Sequence, residues 1–403
     1  MDTAASLPGM TRIYGDPVST KPFSSISTKP LTSRKIILLA TATITDENLF
    51  SNGLFQNVFL LYRMFDAMGY APILIVNEKP KKLSNIPVGL RACRTIATDD
   101  IIKQPMPILA LIEIGMSIDP VVRRFIKMIG GKLCKLYLGN ILNIDIETPI
   151  FYPSMHFAHH VVGNIDRIWV SPHYGQHAEY ASYINHVLPP DDLNDMIAPY
   201  VWDPCILTKD WEQNLCWRPL AEGEEETIVI MEPNISIQKS AHLPLLILET
   251  WYRRNPGWKG RIIVVNGERI EMIPHFRENI MPSLTIFKDG LVKMEGRSDI
   301  FGVLKKYPNA TFMLGQLNNE FNYMTLELMW AGFPVVHNAL VWGDFGYSYK
   351  GADLDAGAAR IDEIRGLHAE RLETYKGHAR LLSWRYSPYN PEVQARWERL
   401  LAI

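Results

Sequence analysis

Nearly continuous apolar runs alternate along the chain with segments whose apolar residues recur at helical spacing. Lys35–Ala40 and Ala71–Val76 are almost entirely apolar, as strands are when both faces of a parallel sheet are covered. Residues 52–69, between them, end in Gly69 and predict a helix. The apolar positions that share one face of this helix are Phe55, Val58, Phe59, Tyr62 and Phe65. Strand, helix and strand form a βαβ unit, which predicts an open parallel sheet.

The alternation continues to about residue 200 and then starts again. In the first series, strands are predicted at Pro107–Glu113, Lys132–Tyr137 and Asp166–Ser171, with a helix over 120–129. In the second, strands are predicted at Thr227–Met231, Arg261–Val265, Leu284–Phe287, Leu291–Met294 and Ala310–Leu314, and helices at Leu243–Arg254 and Ile300–Lys306. Two helical segments, 358–378 and 384–401, follow near the end of the sequence.

These series predict an α/β protein with two tandem Rossmann-like domains, residues 34–200 and 227–380. Residues 1–33 are rich in Ser, Thr and Pro and lack periodicity, which predicts a flexible N-terminal tail. Residues 201–226 include the acidic run Glu222–Glu226 and are interpreted as a linker. Residues 381–403 form a separate C-terminal segment in this scheme.

Composition narrows the classes of function. Hydrophobic residues make up 47% of the 403 positions and charged residues 21%, which is ordinary for a globular protein. A net charge of −2 argues against a nucleic-acid-binding surface. No uncharged apolar run approaches the roughly 18 residues of a membrane span, and no signal peptide is recognised. The four cysteines lack paired or metal-binding spacing, which predicts a reducing, cytoplasmic location.

The stretch Gly315–Asn338 combines a strand end, a polar loop, a short helix and a new strand. Asn318 and Asn319 are residues of the helix-capping type, and Gly332 and Pro334 predict the end of the helix. A loop that leads from a strand into a helix N-terminus is a common anion site, because free backbone N–H groups and the helix dipole face the ligand.

Part of this stretch, Glu327–Val336 (ELMWAGFPVV), resembles the donor-nucleotide signature of GT-B-fold glycosyltransferases. The continuations Val336–Ala339 and Gly346–Tyr349 resemble a bacterial and viral branch of that superfamily. The resemblance implies two domains that face a cleft, with residues 381–403 crossing back to the first. It also implies transfer of a sugar from a UDP- or GDP-sugar to a glycan acceptor, without a cofactor or bound metal.

The resemblance assigns donor contacts to the second domain. Glu327 would accept hydrogen bonds from the ribose hydroxyls, and Lys239 would face the diphosphate, where charge develops as the nucleotide leaves. Arg297 would lie near the base or the diphosphate, although an ion pair with Asp299 or Glu295 is an equal alternative. The remaining donor-binding candidates are Asn234, Asn322, Tyr323, Met324 and Thr325.

One position departs from the pattern of the family. Retaining members often carry two glutamates separated by seven residues, but the position eight before Glu327 is Asn319, and Glu320 lies one place off. Either the loop is shifted or the first carboxylate is absent. The stereochemistry of the reaction therefore does not follow from the resemblance.

Candidates for acceptor and sugar binding lie after the first strand: Asn52, Gly53, Gln56 and Asn57. Glu113 ends a strand and is a candidate general base. The histidines of His156–His160 do not have the spacing of a metal site. They are interpreted as packing or surface residues, or one of them, with His156 as the candidate, is a base for the acceptor hydroxyl.

Several other enzyme classes lose support. The sequence has no P-loop, no Gly-x-Gly-x-x-Gly after a strand, no Gly-x-Ser-x-Gly elbow and no Asp-x-Asp pair. Two alternatives to a glycosyltransferase stay open: a nucleotide-sugar epimerase of the same architecture, and a non-catalytic module that binds nucleotides or glycans.

Overall fold

The computed structural model describes residues 34–45, 49–50, 53–76, 93–103, 106–151, 160–207, 215–317, 319 and 321–402. By their contacts, the described residues divide into two compact units. Among the described residues, the first unit comprises those of 34–206 and 384–402, and the second comprises those of 207–383.

The first unit is built on a parallel sheet in the order β3-β2-β1-β4-β5-β6. Its strands are β1 (Ile36–Ala40), β2 (Ala71–Val76), β3 (Thr95–Ala97), β4 (Ile108–Glu113), β5 (Lys132–Tyr137) and β6 (Arg167–Val170). Its helices are α1 (Gly53–Ala67), α2 (Pro120–Met128), α3 (Ile141–Phe151) and α4 (Ala178–Ile184). All residues of β1 and β2 are buried, which confirms the prediction from their apolar runs.

Local sequence signals set the ends of these helices. Asp119 caps α2 by accepting a hydrogen bond from the Val121 N–H at 2.7 Å, and Pro120 occupies the first turn. Gly69 and Gly130 follow α1 and α2 with φ values of 91° and 88°, a backbone conformation that glycine adopts without strain.

The second unit is built on a parallel sheet in the order β12-β11-β10-β7-β8-β9. Its strands are β7 (Thr227–Met231), β8 (Arg261–Val265), β9 (Val292–Met294), β10 (Thr311–Met313), β11 (Val335–His337) and β12 (Tyr347–Ser348). Its helices are α5 (His242–Arg254), α6 (Glu268–Glu271), α7 (Thr285–Lys288), α8 (Ile300–Lys306), α9 (Tyr323–Trp330), α10 (Leu354–Leu367) and α11 (Leu372–Arg385).

The last helix, α12 (Pro391–Leu400), packs within the first unit. Trp397 is fully buried and meets Phe65 and Trp169 edge-on, with ring centroids 5.3 Å and 5.6 Å away. Asn390 caps α12 by accepting from the Glu392 N–H at 2.9 Å. The aromatic contacts join α12 to α1 and β6, so the final residues of the chain complete the core of the first unit.

Several element predictions were wrong. Leu284–Phe287 is not a strand but overlaps α7, because Glu249 Oε2 accepts the Ile286 N–H at 3.1 Å and so stabilises the helix start. The segment 358–378 is divided between α10 and α11, and the final helix begins at Pro391, not at Trp384. The short strands β3 and β12 were not predicted, since neither has an apolar run of its own.

Two absences hold within the described ranges. No helix there combines the length and apolar character of a membrane span. No group of three or more His, Cys, Asp or Glu side chains in the described part of the chain is arranged to hold a metal ion.

Candidate functional site

The loops after β7 and β10 meet where the strand order of the second sheet reverses. β7 lies between β10 and β8, so the loops at the carboxyl ends of β7 and β10 lead to opposite sides of the sheet. Lys239 of the first loop forms an antiparallel backbone bridge with Gln316 of the second, and Leu317 N–H donates to Gln238 O at 3.0 Å. Ligands of open α/β sheets bind at such switch points.

Glu232, directly after β7, is the buried acid of this site. Its side chain accepts hydrogen bonds from Gly315 N–H at 3.3 Å and from Gln316 Nε2 at 3.0 Å. Burial raises the pKa of Glu232 to about 8, although these two hydrogen bonds and the Lys239 charge act in the opposite direction. Lys239 is half-buried; burial lowers the pKa of its ammonium group, while Glu232 opposes that shift.

A chain of amides extends from Glu232 across the loops. Gln316 Oε1 accepts from Asn319 Nδ2 at 2.8 Å, and Asn338 exchanges hydrogen bonds of 3.0 Å and 2.8 Å with the Gln316 backbone. Asn319, which stands where a glutamate was expected, is therefore buried in a network whose carboxylate is Glu232. Glu320 lies outside the described residues.

Helix α9 begins at the end of the second loop. The cap is Asn322, which accepts from Met324 N–H at 3.1 Å; the prediction of Asn319 as a cap was wrong, and Asn318 is not described. Tyr323, Thr325 and Glu327 are buried on α9, with Glu327 2% exposed. Gly332 (φ 80°) follows the helix and β11 begins at Val335, which confirms the predicted succession of elements.

Asn234 holds the β7–α5 loop closed. It adopts a positive φ of 53°, its Oδ1 accepts from Ala241 N–H at 2.8 Å, and its Nδ2 donates to Asn266 O at 3.2 Å. Both ends of the Asn234 amide thus contact the protein itself, so the structure gives this residue a role in shaping the loop that carries Lys239.

A pocket of about 380 Å³ lies after β9, at the start of α8. Its lining residues include Glu268, Lys293, Arg297, Lys306 and Tyr307. Burial alone would raise the pKa of Glu295, but hydrogen bonds from Lys293, Lys306 and Tyr307 outweigh it and bring the pKa to about 2. Arg297 is exposed, and among the described residues no ion pair joins it to Glu295 or Asp299.

The first sheet reverses its strand order between β1 and β4, and the candidates of this unit flank that point. Gly53 begins α1, and Gln56 and Asn57 are buried on its first turns. Gly115 follows β4 and allows close approach of α1, because a Cβ there would lie 2.6 Å from a methyl group of Leu54. Asn52 is not among the described residues.

Glu113, at the end of β4, is 1% exposed. Its Oε1 accepts from Ile118 N–H at 3.0 Å and lies 3.4 Å from Arg123 Nε, while its Oε2 has no hydrogen-bond partner among the described residues. Lys135 occupies the register position opposite Glu113 on β5; burial lowers its pKa and Glu113 opposes that shift. These contacts are those of a buried ionic cluster, and the catalytic role of Glu113 stays a prediction.

Of the predicted histidines, His156 lies outside the described residues, whereas His160 is described and contacts Asp145. Glu232 and Asp145 were not among the predicted site residues. Glu232 carried a signal, a charged residue at the end of a buried strand. Asp145 carried no such signal, because its partner His160 lies 15 residues further along the chain.

The two parallel sheets with covering helices have the GT-B fold of glycosyltransferases. A Thermobaculum terrenum O-GlcNAc transferase variant has a TM-score of 0.55 at 11% identity, with 93% of this chain and 70% of that chain covered. Sucrose-phosphate synthase from Thermosynechococcus elongatus has a TM-score of 0.52 at 13% identity, with 91% of this chain and 98% of that chain covered. Anabaena HepE in complex with UDP-glucose has a TM-score of 0.52 at 10% identity, with 90% of this chain and 99% of that chain covered.

The chain belongs to the family described as "Protein of unknown function (DUF2827)", whose model matches residues 38–401. No curated protein sequence matches the chain.

Proposed function

We propose that the chain is a glycosyltransferase that moves a sugar from a nucleotide diphosphate sugar to a glycan acceptor. The observation that carries this proposal is the junction of the Lys239 loop with the loop that leads into α9. A cation, a capped helix N-terminus and a buried carboxylate meet there at the switch point of a parallel sheet. That combination suits an anionic ligand with a hydroxylated sugar attached.

The donor is divided among three parts of the second unit in this proposal. Lys239 and the N–H groups at the start of α9 bind the diphosphate, and Glu327 accepts hydrogen bonds from the ribose hydroxyls. The pocket after β9 takes the base, with Arg297 as a fork-shaped donor toward the base or the nearby phosphate. Uracil is the first base to test, because the HepE structures contain UDP-glucose and UDP.

Charge neutralisation by Lys239 and Arg297 is proposed in place of a metal ion. A leaving nucleotide diphosphate gains negative charge, which fixed cations and N–H donors stabilise in a site shielded from water. Activity that persists in EDTA and does not rise with added Mg²⁺ or Mn²⁺ is the expected result, and loss of activity in EDTA contradicts it.

The acceptor glycan is assigned to the first unit, at the start of α1 and the end of β4. Gly53 leaves space beside the backbone, and Gln56 and Asn57 offer amide groups to sugar hydroxyls. Glu113 or a histidine of residues 156–160 would serve as the base.

The direct test is nucleotide binding. UDP, GDP and their sugars are screened by thermal shift, since a ligand that binds only the folded state raises its melting temperature. Calorimetry then compares the parent with Glu327→Ala. Loss of hydrogen bonds to a charged group is expected to weaken donor binding by about 1–3 kcal/mol. The matched control is Glu373→Ala, at a side chain that is 80% exposed in the same unit.

Three outcomes of the binding and activity assays separate the candidate functions. Unchanged affinity in a folded Glu327→Ala protein refutes the ribose contact. Conversion of a nucleotide sugar without any acceptor identifies an epimerase. Nucleotide binding without transfer or hydrolysis identifies a non-catalytic module.

A further inference from the structure

Buried side chains of the first unit fix the backbone around His160. The Tyr137 hydroxyl donates to His160 O, and Asn185 Nδ2 donates to the same oxygen at 3.3 Å. Asn185 Oδ1 accepts from Val162 N–H at 2.7 Å, and Arg123 donates to Val162 O at 3.1 Å. Tyr137 itself accepts from Asn185 at 2.8 Å. Three side chains from β5, α2 and the end of α4 therefore hold this short segment in place.

The imidazole of His160 is oriented in turn by Asp145 of α3. His160 Nδ1 lies 2.6 Å from Asp145 Oδ1, and the Tyr180 hydroxyl donates to Asp145 Oδ2 at 2.6 Å. Burial and the hydrogen bond to Asp145 raise the pKa of Tyr180 to about 12, so this phenol remains a donor near neutral pH. In a hydrogen bond to a carboxylate the imidazole nitrogen is the donor, so Nδ1 is assigned the hydrogen and Nε2 is the position of the ring that can accept one.

Other histidines of the chain show what a structural role looks like. His337 is 2% exposed; its Nε2 contacts Phe345 O at 2.9 Å and its Nδ1 accepts from Ala339 N–H at 3.2 Å. His368 is 1% exposed; its Nδ1 lies 2.8 Å from the Tyr347 hydroxyl and its Nε2 lies 3.0 Å from Gly332 O. In both histidines, each ring nitrogen lies within hydrogen-bond distance of a protein group. His160 differs: its side chain is 19% exposed, and no described residue hydrogen-bonds its Nε2.

The position of the pair also suits a ligand. Asp145 lies in the second turn of α3, which begins four residues after β5 ends. Asp145 and His160 are therefore near the carboxyl end of β5, the edge at which parallel sheets bind their ligands. A carboxylate that fixes Nδ1–H and leaves Nε2 open is the arrangement that orients an imidazole for proton abstraction.

We propose that His160 is the general base of the transfer reaction and that Asp145 is its positioning residue; this inference rests on the proposed function. His160 Nε2 takes the proton of the acceptor hydroxyl while the acceptor oxygen forms a bond to C1 of the donor sugar. The bond from C1 to the diphosphate oxygen breaks, and the nucleotide diphosphate leaves with the electron pair. Asp145 stabilises the imidazolium that results.

The test uses the full chain with UDP-glucose, UDP-N-acetylglucosamine and GDP-mannose as donors. Water and a mixture of free mono- and disaccharides serve as acceptors, and release of UDP or GDP is measured. His160→Gln is expected to lower kcat by about 100- to 10⁴-fold, the range of general-base catalysis. Asp145→Asn is expected to lower it by about 10- to 100-fold, as loss of an orienting partner does. UDP affinity and melting temperature are expected to stay at the parent value in both variants.

The pH profile separates a base from a packing residue. The kcat of the parent falls on acidification, because an imidazolium cannot accept a proton, and His160→Gln lacks this fall. The control is His275→Gln, at an exposed histidine of the second unit, with the parent rate and profile expected.

An unchanged kcat in His160→Gln, or a loss of kcat that only follows a lower melting temperature, overturns the assignment of the base and leaves the donor site in place. Binding of UDP or GDP without release from any of these donors identifies a non-catalytic module, which overturns the proposed function and the assignment of the base with it. Failure to bind UDP or GDP overturns the proposed function itself, so the two failures are distinguishable.

Discussion

Replacement of Glu232 by glutamine is expected to change how the stability of the protein depends on pH. The Glu232 side chain is 1% exposed, and burial raises its pKa from 4.5 to about 8 against the opposing hydrogen bonds and the Lys239 charge. In the unfolded chain the carboxyl group titrates at its ordinary value. Between about pH 4.5 and 8 the folded protein therefore binds more protons, and the free energy of unfolding falls as the pH rises.

The size of this effect follows from the two pKa values. At about 1.36 kcal/mol per pH unit, the gap between 4.5 and about 8 corresponds to about 5 kcal/mol. This contribution is fully present below pH 4.5 and lost as the pH rises through 8. Glu232→Gln removes the titration and keeps one oxygen that accepts a hydrogen bond. Loss of the second acceptor costs about 1–3 kcal/mol at every pH.

Thermal unfolding of both proteins at pH 5 and pH 8 measures the difference, because groups that titrate in both proteins largely cancel. From pH 5 to 8 the parent is expected to lose about 3.5 kcal/mol relative to Glu232→Gln, because part of the titration lies outside this window; this corresponds to about 7–14 °C in melting temperature for a unit of this size. Glu373→Gln, at an exposed carboxylate, serves as control and is expected to follow the parent. If the stability of the parent and of Glu232→Gln changes in parallel with pH, the pKa of Glu232 is not raised in the folded protein.

Three further predictions concern other parts of the chain. Burial lowers the pKa of His337 from 6.5 to about 4. Between pH 4 and 6.5 the unfolded chain therefore binds one proton more than the folded protein, and the free energy of unfolding rises with pH. Acidification from pH 6.5 to 4 is expected to cost the parent about 3 kcal/mol more than His337→Gln in denaturant unfolding, and equal losses contradict this. Trp397→Ala is expected to destabilise the first unit by about 3–5 kcal/mol, since the ring is fully buried against Phe65 and Trp169; an unchanged unfolding midpoint contradicts it. Lys239→Met is expected to weaken UDP binding and to make the affinity less dependent on ionic strength, because one charge opposite the diphosphate is lost. Calorimetry at two ionic strengths measures both quantities. If both equal those of the parent, Lys239 does not contact the diphosphate.

The local elements were largely predictable, because their signals lie within a few residues. The continuous apolar runs predicted β1, β2 and β7, and Gly332 with Pro334 predicted where α9 ends and β11 begins. The wrong prediction at Leu284–Phe287 has a local cause and a distant one. Three apolar residues and a threonine fit a short strand or a helix equally, and the outcome depends on Glu249, which lies 37 residues away in sequence and accepts the Ile286 N–H.

The candidate site was predictable only in part. Lys239 and Glu327 stood in a pattern that the resemblance to GT-B enzymes identified. Glu232 was not identified in this way, because its place in the site depends on the hydrogen bond from Gln316, 84 residues further along the chain. The same limit applies to His160, whose ring is set by Asp145 and Tyr180 from two different helices.

The sequence alone specified the existence of two α/β series and the positions of most of their longer strands and helices, because periodicity, caps and glycines act over one or two turns. Which strands are neighbours depends on the packing of the whole unit, and this packing brings the loops after β7 and β10 together. Packing also buries Glu232, which raises its pKa, and it orients the His160 ring so that no described residue hydrogen-bonds its Nε2. These properties depend on groups that only packing brings within hydrogen-bond distance, which is why no local pattern contains them.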